Sequence, residues 1–149
     1  MSTEGKLPIT YRVSQIKTKK ISINEPDKIS FENIEVFGEV TYKLNALNDK
    51  TSLLEFEIIT EFVDTKAQEN LINHVGLTRF EINNLPASIG DTQSDLRIQD
   101  NLMITLYGIA HSHSRALLAC DLQNFIYKDK LFIPIVDPKR ILDLIPATP

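Results

Sequence analysis

The sequence predicts an α+β domain: a four-stranded antiparallel sheet, then a long helix and a short C-terminal helix. Three observations predict it. Apolar and polar residues alternate with a period of two in several runs before residue 83. From about Asp100 the apolar spacing changes to threes and fours, the period of a helix. Strand-like and helix-like runs are segregated along the chain, which favours helices packed on one face of an antiparallel sheet. The 149 residues suit one domain, read here as 11–149 behind a flexible, solvated lead-in at 1–10. A chain of that size buries roughly 68–70% of its unfolded surface, enough for a core without covalent staples.

The first strand is expected at about 11–23. Tyr11, Val13, Ile21 and Ile23 share one parity, Ile16 breaks it, and Lys17, Lys19 and Lys20 make the middle basic. Bulges break parity in this way, and lysines guard edge strands against unwanted pairing. Pro26 ends the run. Residues 30–35 carry no clear pattern. In the second strand Val40, Tyr42 and Leu44 alternate with polar neighbours, and Asn48-Asp49-Lys50 supplies turn chemistry. In the third, Leu54, Phe56, Ile58 and Phe62 share one face, with Glu55, Glu57 and Glu61 on a face expected to be solvated. Residues 64–73 are polar and read as a loop or helical turn. A fourth strand follows at 75–82, with Thr78, Phe80 and Ile82 on one parity, and then a long connection to about 94.

The helix is expected to start at Asp100 as N-cap and to run about six turns. Leu102, Leu106, Ile109, His113, Ala116 or Leu117, and Cys120 form its stripe, widened by Met103, Tyr107, Ala110, Ser114, Leu117 and Leu118. After a loop and the apolar run Leu131-Phe132-Ile133-Pro134-Ile135-Val136, Asp137 and Pro138 make an N-cap and first-turn pair for a short helix to about Leu144.

A net charge of −4 gives no electrostatic reason to expect nucleic acid or an anionic membrane as partner. One cysteine, Cys120, allows no internal disulfide. The polar first ten residues do not read as a signal peptide, and no apolar run is long enough to insert into a membrane. The expected compartment is a reducing cytoplasm. No Gly-rich phosphate loop, dinucleotide fingerprint, nucleophile elbow or HExxH motif occurs, so no cofactor is expected. His111 and His113 are two apart, do not share a helix face, and read as core or solvated residues, so no metal site is expected. Cys120, in the helix stripe, reads as a buried, inert thiol. The glutamates of the third strand read as a wet sheet face rather than as acid–base groups. The chain is expected to be a binding protein and not an enzyme.

Several phrases carry a family likeness. They are Ile16-Lys17-Thr18-Lys19-Lys20-Ile21-Ser22-Ile23-Asn24-Glu25-Pro26, Glu39-Val40-Thr41-Tyr42-Lys43-Leu44, Thr78-Arg79-Phe80-Glu81-Ile82, and Arg115-Ala116-Leu117-Leu118-Ala119-Cys120 with the later run 131–137. In these phrases and in its order of elements the chain resembles the SecB family of bacterial export chaperones over nearly its whole length. The resemblance implies a homotetramer assembled as a dimer of dimers. It also implies an ATP-independent holdase for unfolded or partly folded polypeptides, serving protein transport. It places client contacts on the second strand, at Val40, Tyr42 and Leu44. Two departures put docking to the translocase ATPase SecA in doubt. Lys20 and Asn24 stand where the family carries acidic residues, and the sequence ends at Ala147-Thr148-Pro149 with no acidic tail. A SecB-like adaptor or scaffold with one dedicated partner, such as an antitoxin, is the alternative.

Two expectations come from the residues themselves. A holdase needs exposed apolar surface, and the sheet face with Val40, Tyr42, Leu44, Phe56 and Ile58 is the candidate, unless those residues pack under the helix. The helix is apolar beyond one stripe, with small residues at Gly108, Ala110, Ser112 and Ser114, so a second copy is expected to cover its other side.

Overall fold

The computed structural model describes residues 10–25, 35–46, 53–83, 93–134, 137 and 140. They form four strands and a long helix: β1 (Thr10–Ile23), β2 (Val36–Ala46), β3 (Leu53–Asp64), β4 (Glu69–Asn83) and α1 (Gln93–Asp121). The strands make one antiparallel sheet in the order β1-β4-β3-β2, so β1 and β2 are its edges. The expected four-stranded sheet and long helix are therefore present. The short helix expected from Asp137 lies mostly outside the described residues, where one bond, Arg140 N–H to the Asp137 carbonyl at 2.9 Å, is seen.

The broken parity of β1 has a cause. Its register against β4 shifts between Val13 and Gln15 and again between Thr18 and Lys20. Each shift inserts a residue, so the α1-facing set passes from Tyr11 and Val13 to Ile16 and Thr18, then back to Ile21 and Ile23. The β3–β4 pair has a similar irregularity. Phe62 pairs with Ile72 and Val63 with Asn70, leaving Leu71 as the extra residue, and both Leu71 and Ile72 are buried.

Two expected boundaries are corrected. Residues 69–74 belong to β4, and the turn is confined to 65–68. Asp64 makes so short a turn possible: its Oδ1 accepts from Lys66 N–H at 3.0 Å, and Gln68 takes a left-handed φ of 54°. Asp100 lies inside α1, not at its start.

The helix lies over β4, with β1 and β3 to either side, and stops short of β2. Its sheet-facing stripe is Leu106, Tyr107, Ala110, His111, Ser114 and Leu118, continued by Leu122 just past its end, all buried. Cys120, expected in that stripe, is exposed. It lies two positions from Leu118, about 200° around the helix. The core has two apolar clusters. One gathers Tyr42, Leu54, Phe56, Ile58, Phe80 and Ile82 under Leu106, Tyr107 and Ala110. The other gathers Phe62, Leu71 and Ile72 with Leu118, Leu122, Tyr127 and Ile133. Between them runs a polar seam of His74 and Thr78 on β4 with His111 and Ser114 on α1, all buried.

The opposite sheet face is drier than expected. Glu55 and Glu57 are buried there, Glu57 to 3% exposure. Arg79 reaches Glu55 at 2.9 Å. Lys19 pairs with Glu57, Lys43 stands 3.8 Å from it, and Asn45 donates to it at 3.1 Å. Long basic side chains lie over these carboxylates with their heads still in water.

Candidate functional site

Because α1 stops short of β2, the inner side of that strand is closed by the chain after the helix. Residues 122–134 leave α1 and fold back. Tyr127 donates its hydroxyl to the Asn24 carbonyl, and the Ile126 N–H bonds to Glu25 Oε1 at 2.8 Å. Burial, with Glu25 and Glu69 adding to it, pushes the Tyr127 phenol up to about 12, so it stays a neutral donor. Farther on, Arg115 Nε donates to the Ile133 carbonyl at 2.9 Å and His111 Nε2 donates to the Pro134 carbonyl at 2.7 Å.

The result is a groove of about 400 Å³ between β2 and the returning chain. Gly38, Glu39, Val40 and Tyr42 form one wall, Thr60 and Phe62 the floor, and Phe132 and Pro134 the opposite lip. Gly38 is small for a reason: a Cβ there would stand 2.8 Å from the Phe62 ring, its cross-strand partner. The floor is apolar apart from Thr60, whose buried hydroxyl has no hydrogen-bond partner among the described residues. Phe132 is 59% exposed, a large aromatic side chain standing in water at the lip. Such a site offers apolar contact to a ligand that is itself apolar and narrow.

The residues expected at a client surface divide. Phe56 and Ile58 are fully buried beneath α1, and Phe56 stacks edge-on with Phe80 and Tyr107. Tyr42 is also buried but reaches the groove wall. Val40 is half-buried in that wall, and Leu44 is 37% exposed farther along β2. The three residues expected at an oligomer interface divide too. Ala110 and Ser114 are fully buried against their own sheet, so their surface is already spent within the chain. Gly108 faces the other way, in a shallow hollow with Thr105 and Ser112.

Phe62, Thr60 and the lip residues Phe132 and Pro134 were not among the expected site residues. The signal that could have pointed to the lip was the apolar run 131–136, longer than a surface loop needs. The histidines serve the helix–sheet contact. His111 turns to Tyr42 and Pro134, while His113 turns to Thr78 at 3.0 Å. His74 Nε2 lies 2.9 Å from Asp121, which also accepts from Thr18 at 2.6 Å. Among the described residues no cluster of three or more His, Cys, Asp or Glu could hold a metal ion. Among them, too, no helix is long and apolar enough to cross a membrane.

No family model matches the chain, and no curated protein matches it. Several solved structures are similar to it, two of which follow. A SecB-like chaperone of Mycobacterium tuberculosis, in complex with an antitoxin peptide, aligns over 85% of this chain and 87% of its own, with 11% identity and a TM-score of 0.49. A protein of unknown function from Streptococcus agalactiae aligns over 87% and 99%, with 16% identity and a TM-score of 0.33.

Proposed function

We propose that the chain is an ATP-independent holdase that binds extended, apolar segments of non-native polypeptides in the groove beside β2. The groove itself carries the reading: an apolar trough with an exposed aromatic lip, next to a strand that, among the described residues, is paired on one side only. An extended segment fits such a place twice over. Its side chains lie against Val40, Phe62 and Phe132, and its backbone adds to the free edge of β2. Leu44 extends the apolar surface along the strand, while Tyr42, Phe56 and Ile58 support it from beneath. The sequence resemblance to the SecB family points the same way, and binding of this kind requires no cofactor and no nucleotide.

Assembly as a homotetramer in the cytoplasm belongs to the same reading. The outward side of α1 carries small residues at Thr105, Gly108, Ser112 and Ala116, spaced three or four apart, so a second helix can approach closely there. Delivery to SecA is not part of the proposal, given Lys20 and Asn24.

The test combines light-scattering mass with suppression of aggregation of reduced, unfolded α-lactalbumin and a second unrelated client, without nucleotide. A tetramer that protects both clients is the expected outcome. Protection of neither, by a monomer, would sink the holdase and leave an adaptor for one dedicated partner as the better reading.

A further inference from the structure

We infer that His111 is a positioning residue that sets the width of the groove, and with it which polypeptide segments the groove admits. The inference rests on the groove reading above and deepens it. The two sides of the groove come from distant parts of the chain, Tyr42 from β2 and Pro134 from the returning segment. One imidazole joins them. His111 Nδ1 lies 3.0 Å from the Tyr42 hydroxyl and Nε2 lies 2.7 Å from the Pro134 carbonyl. A carbonyl only accepts, so Nε2 carries the hydrogen, and in the neutral ring Nδ1 is left to accept from Tyr42. The ring is rigid, so both bonds together fix the distance between wall and lip. Arg115, one turn along the helix, holds the neighbouring Ile133 carbonyl and keeps the lip from pivoting about Pro134.

His111 is itself buried, at 4% exposure, behind the groove. It acts on a bound segment through Tyr42 and Pro134, not by touching it. A groove held at fixed width is expected to favour one extended strand over a helix, whose diameter is about 10 Å or more.

The chain contains no tryptophan, so Phe132→Trp places a single indole on the lip. In that background, indole anisotropy reports lip mobility without any ligand. A fluorescein-labelled ten-residue peptide of alternating Leu and Ser reports groove affinity. His111→Leu keeps the buried space filled but removes both bonds. It is expected to lower the anisotropy and to weaken peptide binding about tenfold. His111→Gln, whose amide still donates to the Pro134 carbonyl, is expected to hold both within about twofold, a rescue that a merely space-filling role would not give. Should His111→Leu fail to fold, Tyr42→Phe removes one arm of the clamp and is expected to lower the anisotropy by a smaller amount. Unchanged anisotropy in the folded variants overturns the clamp, whatever the peptide does. A fall in anisotropy with no peptide binding by the parent chain leaves the clamp standing and removes the groove reading instead.

Discussion

At Gly76 the sheet meets α1 with no room for a methyl group. A Cβ there would lie 2.2 Å from Ser114 Oγ, 2.9 Å from its Cβ and 3.2 Å from its backbone Cα. Because the last of these is backbone, rotation of a side chain does not relieve the clash and the helix itself must lift. Gly76→Ala is therefore expected to cost about 2 kcal/mol, an overpacking penalty, and to lower Tm by roughly 4–8 °C. Ser114→Gly in the same chain should recover part of the loss, and thermal melts of the single and double variants check both statements. The sequence marked Ser114 as small but assigned it to a subunit interface; its partner turned out to be a glycine on the chain's own sheet. Single-residue spacing cannot show which of two helix sides meets the sheet when both carry small residues. Cys120 was misplaced for the same reason.

The elements were the most legible level. The period-two runs located the four strands, and the bulged, edge character of β1 followed from Ile16 breaking parity among lysines. The start of β4 was not legible, because Asn70, Asn73 and His74 are weak strand formers and pairing with β3 decides their conformation. The start of α1 was missed because the polar residues before Asp100 hide the helix period. The joint between α1 and the sheet also has a chemical consequence. Burial lowers the titration of His74, His111 and His113 below the ordinary 6.5. Asp121 partly offsets the burial of His74, the Pro134 carbonyl partly offsets that of His111, and Arg115 adds to the lowering of His111. Well above pH 6.5 these residues are neutral folded or unfolded and contribute no pH dependence. As pH falls through 6.5 the unfolded chain takes up protons that the folded chain refuses, so stability falls. The Glu57 carboxyl acts in a lower window. Burial pushes it up, but Lys19, Asn45 and Lys43 more than reverse this, so it sits below its ordinary value of 4.5. Its stabilisation is present above pH 4.5 and is lost as pH falls through the folded value. Urea melts across pH 7.5 to 5 should show a declining midpoint, and a level midpoint between 7 and 5.5 would contradict the buried neutral histidines.

For the whole molecule, the sequence conveyed the layer architecture but not the site. The groove draws on residues 38–42, 60–62 and 132–134, which no local pattern links. Its existence depends on α1 ending its coverage before β2, and that is a matter of where a helix crosses a sheet. Of the residues expected at a client face, Val40, Tyr42 and Leu44 lie on the edge strand β2, while Phe56 and Ile58 lie in the core.

The most direct measurement places a photo-crosslinking phenylalanine analogue at single positions and illuminates the chain with an unfolded client bound. Val40 and Phe132 probe the two sides of the groove. Tyr11, aromatic and exposed on the opposite edge strand, is the control; β1 and β2 stand three strand spacings, about 14 Å, apart. The account predicts strong client adducts at positions 40 and 132 and little at 11. Equal adducts at all three positions, or adducts confined to position 11, would contradict it.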